Sequence, residues 1–254
     1  MQYQNQPLLS IVTVCYNSAN TIERTFKSIL KQRFSNYEYI VVDGGSNDDT
    51  IDIIRKYESL FKGRMKWTSE PDKGIYDAFN KGIERSSGRY VWIVNSDDYI
   101  QSDALNQVEK IITEERDADI ISGIARFVRN NEVVKLWSYD ARSSEREFRK
   151  KRLGVAHPAT IVKKTAYDRW GKYDPDFYIA GDLDWFLTMK ENGAVIVFPQ
   201  IELTNWSDGG ISTKKQHKRL YHDWKRIYKK HTKSQVEYIS FLIYRVITYI
   251  KNGV

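Results

Sequence analysis

Cysteine is almost absent from this chain. Cys15 is the only one among 254 residues, so no disulfide framework and no cysteine-based metal cluster can form, which fits a reducing compartment. Long hydrophobic runs are missing too. No apolar stretch approaches the ~20 residues that span a bilayer, and Met1 to Pro7 lacks the charged-then-apolar form of a signal peptide. These absences point to a cytoplasmic protein. There is no internal repeat and no low-complexity tract, which excludes solenoids and arrays. What is present is ordinary core material and positive charge. Hydrophobic residues make up 41%, enough for a sizeable core in one large α/β domain or two small ones. The net charge of +7 favours an anionic partner: nucleotide, membrane surface or nucleic acid.

The stretch Tyr90-Val91-Trp92-Ile93-Val94-Asn95-Ser96-Asp97-Asp98 organises the rest. Its apolar, β-prone part predicts a buried strand. Charged groups avoid such a core, so Asp97 and Asp98 must lie just beyond the strand end, where ligands bind in open α/β sheets. Adjacent carboxylates there can hold a hard divalent cation, and through it a diphosphate. The alternative is a plain turn before a helix that begins near Ser102 and Asp103.

Three strand–helix units precede it. Residues 8–16 predict a first strand broken at Asn17-Ser18; Asn20 and Glu23 then form a capping-box pattern ahead of Ile22, Phe26, Ile29 and Leu30. Residues 37–42 predict a second strand, ending in Asp43-Gly44-Gly45-Ser46-Asn47-Asp48-Asp49 and followed by a helix. Residues 65–68 predict a third, ending in Ser69-Glu70-Pro71-Asp72-Lys73-Gly74, with 75–84 helical. Four such units in a row predict a mostly parallel sheet. Tyr16-Asn17, Asp43, Asp72-Lys73-Gly74 and Asp97-Asp98 then converge on one crevice, whereas the opposite strand ends carry few acids.

The second half is less regular. Residues 118–128 and 132–137 predict two strands joined by Arg129-Asn130-Asn131. Residues 141–152 form a basic segment, 159–162 an apolar one, and 170–175 a turn. Asp182 opens a helix with Leu183, Phe186 and Leu187, and 194–198 predict a strand ended by Pro199. From residue 211 a basic run with interleaved aromatics leads into an apolar stretch at 236–250. At about fifteen residues it is too short to cross a bilayer. It either lies in the membrane interface with the basic run on anionic lipid, or docks on the domain as a helix.

Four of these segments, taken in order, resemble family 2 glycosyltransferases: Ser10-Ile-Val-Thr-Val-Cys-Tyr-Asn17, Val41-Val-Asp-Gly-Gly-Ser-Asn-Asp-Asp-Thr50, the run from Ser69 to Gly82, and Asn95-Ser-Asp-Asp98. The resemblance implies the GT-A fold: α/β, with a mostly parallel Rossmann-like central sheet, helices on both faces and a helical C-terminal extension. On that reading residues 1–210 are the glycosyltransferase domain, with a nucleotide-sugar half at 8–100 and an acceptor half at 101–210, and 211–254 are the extension. The Asp-Lys-Gly-Ile-Tyr-Asp-Ala variant is similar to enzymes of bacterial surface-polysaccharide assembly. It implies inverting transfer from a nucleotide-diphosphate sugar, usually of UDP, to a saccharide or lipid-linked acceptor, with Mn or Mg.

Carried over residue by residue, Asp43 matches the acid that reads the base, and Thr13, Cys15, Tyr16 and Asn17 match the nucleoside-pocket segment. Asp72, Lys73 and Gly74 match the loop near ribose and phosphates. Asn95-Ser96-Asp97 matches the DXD signature whose last acid meets the metal, with Asp98 following. Asn95 departs from the usual acid, so Asp97 and Asp98 must carry the metal. His157 and Trp185 fall in the acceptor half. Asp182 matches the family's catalytic base, with Asp184 second. A helix N-terminus favours the ionised form of Asp182, and Asp184, two residues on, faces away from it. The long processive members carry transmembrane helices and a Gln-x-x-Arg-Trp motif. Neither is present, so one residue is added per acceptor. The Asp208-Gly209-Gly210-Ile211-Ser212 stretch resembles a closing loop, and Lys214 and Lys215 follow it. Two other classes compete. A nucleotidyltransferase would need a glycine-rich basic loop after the first strand, which Tyr16-Asn17-Ser18-Ala19-Asn20 lacks. A nucleic-acid-binding protein would use the basic tail, but the apolar face beside it favours membrane or protein, so no nucleic-acid partner is expected.

Overall fold

The computed structural model describes residues 6–210, 217–232, 234–236, 238–240 and 243. The chain begins with four strand–helix units: β1 (Leu9–Cys15), α1 (Ile22–Leu30), β2 (Tyr37–Asp43), α2 (Thr50–Glu58), β3 (Met65–Ser69), α3 (Ile75–Arg85), β4 (Tyr90–Ile93) and, after the short β5 (Tyr99–Ile100), α4 (Ala104–Glu114). There follow β6 (Ile120–Ser122), β7 (Ile124–Arg129), β8 (Glu132–Trp137), α5 (Ala141–Arg149), β9 (Thr160–Lys163), α6 (Lys164–Trp170), α7 (Gly181–Glu191), β10 (Ile196–Val197), β11 (Glu202–Ser207) and α8 (His217–His231).

Among the described residues the strands form two sheets. The larger has the order β10-β6-β9-β4-β1-β2-β3. Within it β4, β1, β2 and β3 run parallel, and β9 is antiparallel to both its neighbours. The smaller has the order β5-β11-β7-β8. Burial of both faces explains the near-continuous apolar runs of β1 and β2. Ile11, Tyr39 and Val41 face one core with Phe26, Ile29 and Phe61. Val12, Val14, Ile40 and Val42 face the other, with Phe79, Ile83, Phe186 and Ile227. The parallel register sets Asp43 opposite both Cys15 and Ser69, so the polar turns after β1, β2 and β3 share one edge.

Three local expectations change. The single strand predicted over 118–128 is split at Gly123 between the two sheets; a Cβ there would lie 2.6 Å from the Leu203 side chain and 3.0 Å from the Ile201 carbonyl oxygen, so glycine gives the crossing its room. The predicted capping box does not form. The Ser18 carbonyl instead accepts from the amides of Thr21 and Ile22, while Glu23 accepts from the Tyr57 hydroxyl at 2.7 Å. The strand expected over 194–198 is reduced to β10. The β7–β8 turn is the tight hairpin loop its sequence suggests, with Asn130 and Asn131 both at positive φ, 51° and 64°.

Candidate active site

The turns after β1, β2 and β3 interlock. The Asp43 carboxylate is buried and spends itself on its own loop: one oxygen accepts from the amides of Gly45 (3.0 Å) and Ser46 (2.9 Å) and from the Ser69 hydroxyl (2.7 Å), and the other from the Ser46 hydroxyl. Asn17, at φ 50°, receives the Asn47 amide on its side-chain oxygen and donates its own amide to Ser46 Oγ. Thr13 is buried and accepts from the Tyr39 hydroxyl at 2.9 Å. Cys15 is also buried, and burial, together with the Asp43 charge, pushes its thiol far up. Both side chains are thus buried at the end of β1 with partners from β2.

What does reach the surface is Tyr16, 61% exposed, and the Asp72 carboxylate. Both come close to Gly44: a Cβ there would lie 2.4 Å from Asp72 Oδ2 and 3.5 Å from the Tyr16 ring. Burial raises the Asp72 pKa, and its other oxygen accepts from the Gly74 amide at 2.9 Å. Lys73 is exposed beside it, its amide donated to Asp77.

Beyond β4, Ser96 shares a hydrogen bond of 2.8 Å with Ser18. Thr25 donates to the carbonyls of Ser96 and Asp98, and Arg24 donates to the Asp97 carbonyl and to Ser207 Oγ. Sequence reasoning missed Arg24, Thr25 and Ser207; on α1 and β11 they carry no local motif. Asp98 leaves the expected metal pair. It is fully buried, accepts from the Ser207 amide at 2.9 Å and from the Asn95 amide group, and burial together with the Asp97 charge raises its pKa strongly. Asp97 is only partly buried, and Gly210 lies against its carboxylate. Asn95 Oδ1 is a buried acceptor without a hydrogen-bond partner. Among the described residues no group of three or more His, Cys, Asp or Glu could hold a metal. A cation here would rest on Asp97 and on ligand oxygens, a donor set that suits Mg or Mn chemistry. Ile211, Ser212, Lys214 and Lys215 lie outside the described residues.

On the acceptor side, Asp182 sits in the first turn of α7, partly buried, with Oδ1 accepting from the Leu183 amide at 2.8 Å. Burial raises its pKa to about 6, so desolvation outweighs the helix dipole expected to keep it low. Tyr76, in the first turn of α3, lies with its ring against Gly181 and donates its hydroxyl to the Ile179 carbonyl at 2.6 Å. That contact brings the start of α7 to the end of α3 that follows the Asp72 loop.

The other acceptor-half expectations change. Asp184 is committed elsewhere: its oxygens meet His231 Nε2 at 3.0 Å and Lys230 Nζ at 2.8 Å. Burial pushes its carboxyl up, but those two hydrogen bonds together outweigh it and hold the pKa low. It is not available as a second base. Trp185 is 1% exposed and stacks on Tyr173 at 5.4 Å, so it packs the core rather than meeting a sugar. His157 contacts the Tyr173 hydroxyl at 2.8 Å and stacks on Phe79. Burial lowers its pKa to about 4 and leaves it neutral.

The sequence profile described as Glycosyl transferase family 2 matches residues 10–170. The chain belongs to this family. An uncharacterized glycosyltransferase of Mycobacterium tuberculosis is 28% identical over 228 residues, covering 87% of this chain and 83% of that protein. The putative teichuronic acid biosynthesis glycosyltransferase TuaG of Bacillus subtilis is 36% identical over 125 residues, 49% of this chain and 50% of that one. Among solved structures, S. aureus TarS 1-349 in complex with UDP-GlcNAc superposes with a TM-score of 0.71 at 20% identity, over 86% of this chain and 65% of that one. The mannosyltransferase PcManGT of Pyrobaculum calidifontis, in complex with GDP-Man and Mn2+, gives 0.59 at 18% identity, over 90% of this chain and 62% of that one. This chain thus spans less than two thirds of each solved chain, and the likeness carries the fold: an α/β glycosyltransferase with a mostly parallel central sheet. No helix among the described residues is long and apolar enough to cross a membrane.

Proposed function

We propose that this glycosyltransferase moves one sugar per acceptor, with inversion, from a UDP-sugar to a saccharide or lipid-linked acceptor in surface-polysaccharide assembly. The observation that carries this reading is Asp182, a partly buried carboxylate with its pKa near 6 at the start of α7, tied through Tyr76 to the helix behind the Asp72 loop. A general base works best with a pKa near the operating pH. Asp182 takes the acceptor hydroxyl proton as that oxygen attacks the anomeric carbon. The bond to the diphosphate breaks on the opposite face, and the diphosphate leaves with the electron pair. On the donor side Tyr16 offers a ring to the base, Asp72 an acceptor beside it, and Asn95 Oδ1 an acceptor for a ribose hydroxyl. Asp97 would hold Mn or Mg, whose charge offsets that of the leaving diphosphate. The choice of UDP is supported by the TarS complex with UDP-GlcNAc, and the surface-polysaccharide setting by TuaG.

Calorimetric titration of UDP, with and without Mn2+, tests the donor site. The Mn-dependent part of the affinity is expected to vanish in Asp97→Asn while the metal-free part stays. Equal loss in both conditions would remove Asp97 from the cation.

One feature favours a membrane-surface location for the acceptor. Lys218, Lys225 and Lys229 form one exposed stripe of α8, and beyond it Val236, Ile239 and Ile243 are 72%, 54% and 54% exposed. Basic and apolar groups together suit the face of an anionic bilayer, consistent with a cytoplasmic enzyme bound peripherally to the inner leaflet. Sedimentation with phosphatidylglycerol vesicles, lost at high salt and absent with phosphatidylcholine, is the expected result; no difference between the two lipids would count against it.

A further inference from the structure

The segment that leads into α7 is held from two sides, and one of them is the C-terminal helix. Asp223 lies in the middle of α8 and is fully buried. Its carboxylate gathers three successive backbone amides: Tyr178 at 3.0 Å, Ile179 at 2.7 Å and Ala180 at 3.0 Å, all on one oxygen, with Tyr178 also reaching the other at 3.2 Å. From the opposite side Tyr76 donates to the Ile179 carbonyl. The next residues are Gly181 and Asp182. Arg226, one turn on in α8, holds the preceding loop through the Asp176 carbonyl at 2.9 Å and the Asp174 carboxylate at 3.1 Å. Further along, Lys230 and His231 hold Asp184, and His231 also meets Glu191 at 2.8 Å. The helix bearing the base is thus clasped by α8 at its start and on its flank.

A loop without such a clasp would leave its amides to water. Three amides converging on one buried carboxylate form a strong, charge-assisted set, and buried charge of this kind persists only where its partners satisfy it. Their alignment also fixes the backbone two residues before Asp182. We propose that Asp223 is a positioning residue for catalysis, its carboxylate fixing the backbone of residues 178–180 and thereby the placement of Asp182. This rests on Asp182 being the base. It also ties activity to α8, a segment outside the matched family region. The groups that face Asp182 electrostatically are Asp223 from α8, Tyr76 from α3, Tyr173 from the loop before α7 and Tyr139 from the segment before α5. Of these Asp223 adds to the effect of burial in raising the Asp182 pKa.

The test compares wild type, Asp223→Asn, Asp223→Ala and Asp182→Asn in the full chain. Amide exchange is read at residues 178–180. The Asp182 carboxyl is titrated by carbon NMR, and UDP release from UDP-GlcNAc, UDP-glucose and UDP-galactose is followed with Mn2+. In Asp223→Asn the three amides are expected to exchange about tenfold faster or more, and the Asp182 midpoint to fall. The kcat is expected to drop about tenfold or more with KM for the UDP-sugar unchanged, since misplacement by ~1 Å costs up to about a hundredfold. Wild-type exchange and an unmoved Asp182 midpoint in Asp223→Asn would overturn the proposal. Should both Asp223 variants fail to fold, wild-type exchange decides: rapid exchange at 178–180 overturns the clasp. Full UDP release by Asp182→Asn, alongside loosened amides in Asp223→Asn, would sink the base reading instead and leave the clasp standing.

Discussion

If Asp182 is the base proposed above, Asp182→Asn separates catalysis from stability. The Asp182 carboxyl is raised from 3.8 to about 6, chiefly by burial. At about 1.4 kcal/mol per unit this corresponds to about 3 kcal/mol, which partial exposure reduces to about 2 kcal/mol. The sign follows from proton linkage. The folded state binds the proton more tightly than the unfolded chain, so folding stability falls as pH rises from about 4 to about 6 and is level above that. Asparagine keeps the acceptor for the Leu183 amide and removes the buried charge. At pH 8 the variant is therefore expected to melt about 4–8 °C higher than wild type, at 2–4 °C per kcal/mol for a domain of this size. The gap should narrow below pH 6 and close near pH 4. Activity moves the other way: UDP release should fall about 10²–10⁴-fold in the variant. In wild type it should decline tenfold per unit below a midpoint near 6. Thermal melts from pH 4.5 to 8 and initial rates over the same range measure both. An acid limb centred near 4, or a variant that melts lower than wild type at pH 8, would refute the reasoning.

Asp43→Ala strips the acceptor from two amides and two hydroxyls of the 44–46 loop and Ser69; a loss of about 3 kcal/mol is expected in urea unfolding, with weaker UDP binding as a consequence. Weaker binding at unchanged stability would instead put Asp43 in direct contact with the base. Trp185→Phe keeps the stack on Tyr173 and removes an indole N–H that has no partner. The smaller ring leaves a cavity, so it is expected to cost about 1–3 kcal/mol and to leave the KM for any acceptor unchanged. A tenfold rise in acceptor KM would return Trp185 to the binding surface.

The sequence by itself determined the alternation of strands and helices over residues 8–114, because buried parallel strands must be apolar on both faces and their polar turns must then gather at one edge. It also determined the family, since four short motifs in order are enough to mark it. It placed Asp182 at a helix start. It did not determine which carboxylates stay available. Asp97 and Asp98 are neighbours in sequence and identical in type, yet the amide of Ser207, over a hundred residues away, takes Asp98 into the interior and leaves Asp97 at the surface. Asp184 looked like a second base until α8 brought Lys230 and His231 against it. The pKa of Asp182 also belongs to the tertiary structure: a local helix dipole lowers it, and packing between α3, α7 and α8 raises it by more. Asp223 has no motif at all; the role proposed for it rests on three amides that only the fold brings together. Local sequence sets where a charge begins, and desolvation by distant segments decides what that charge can do.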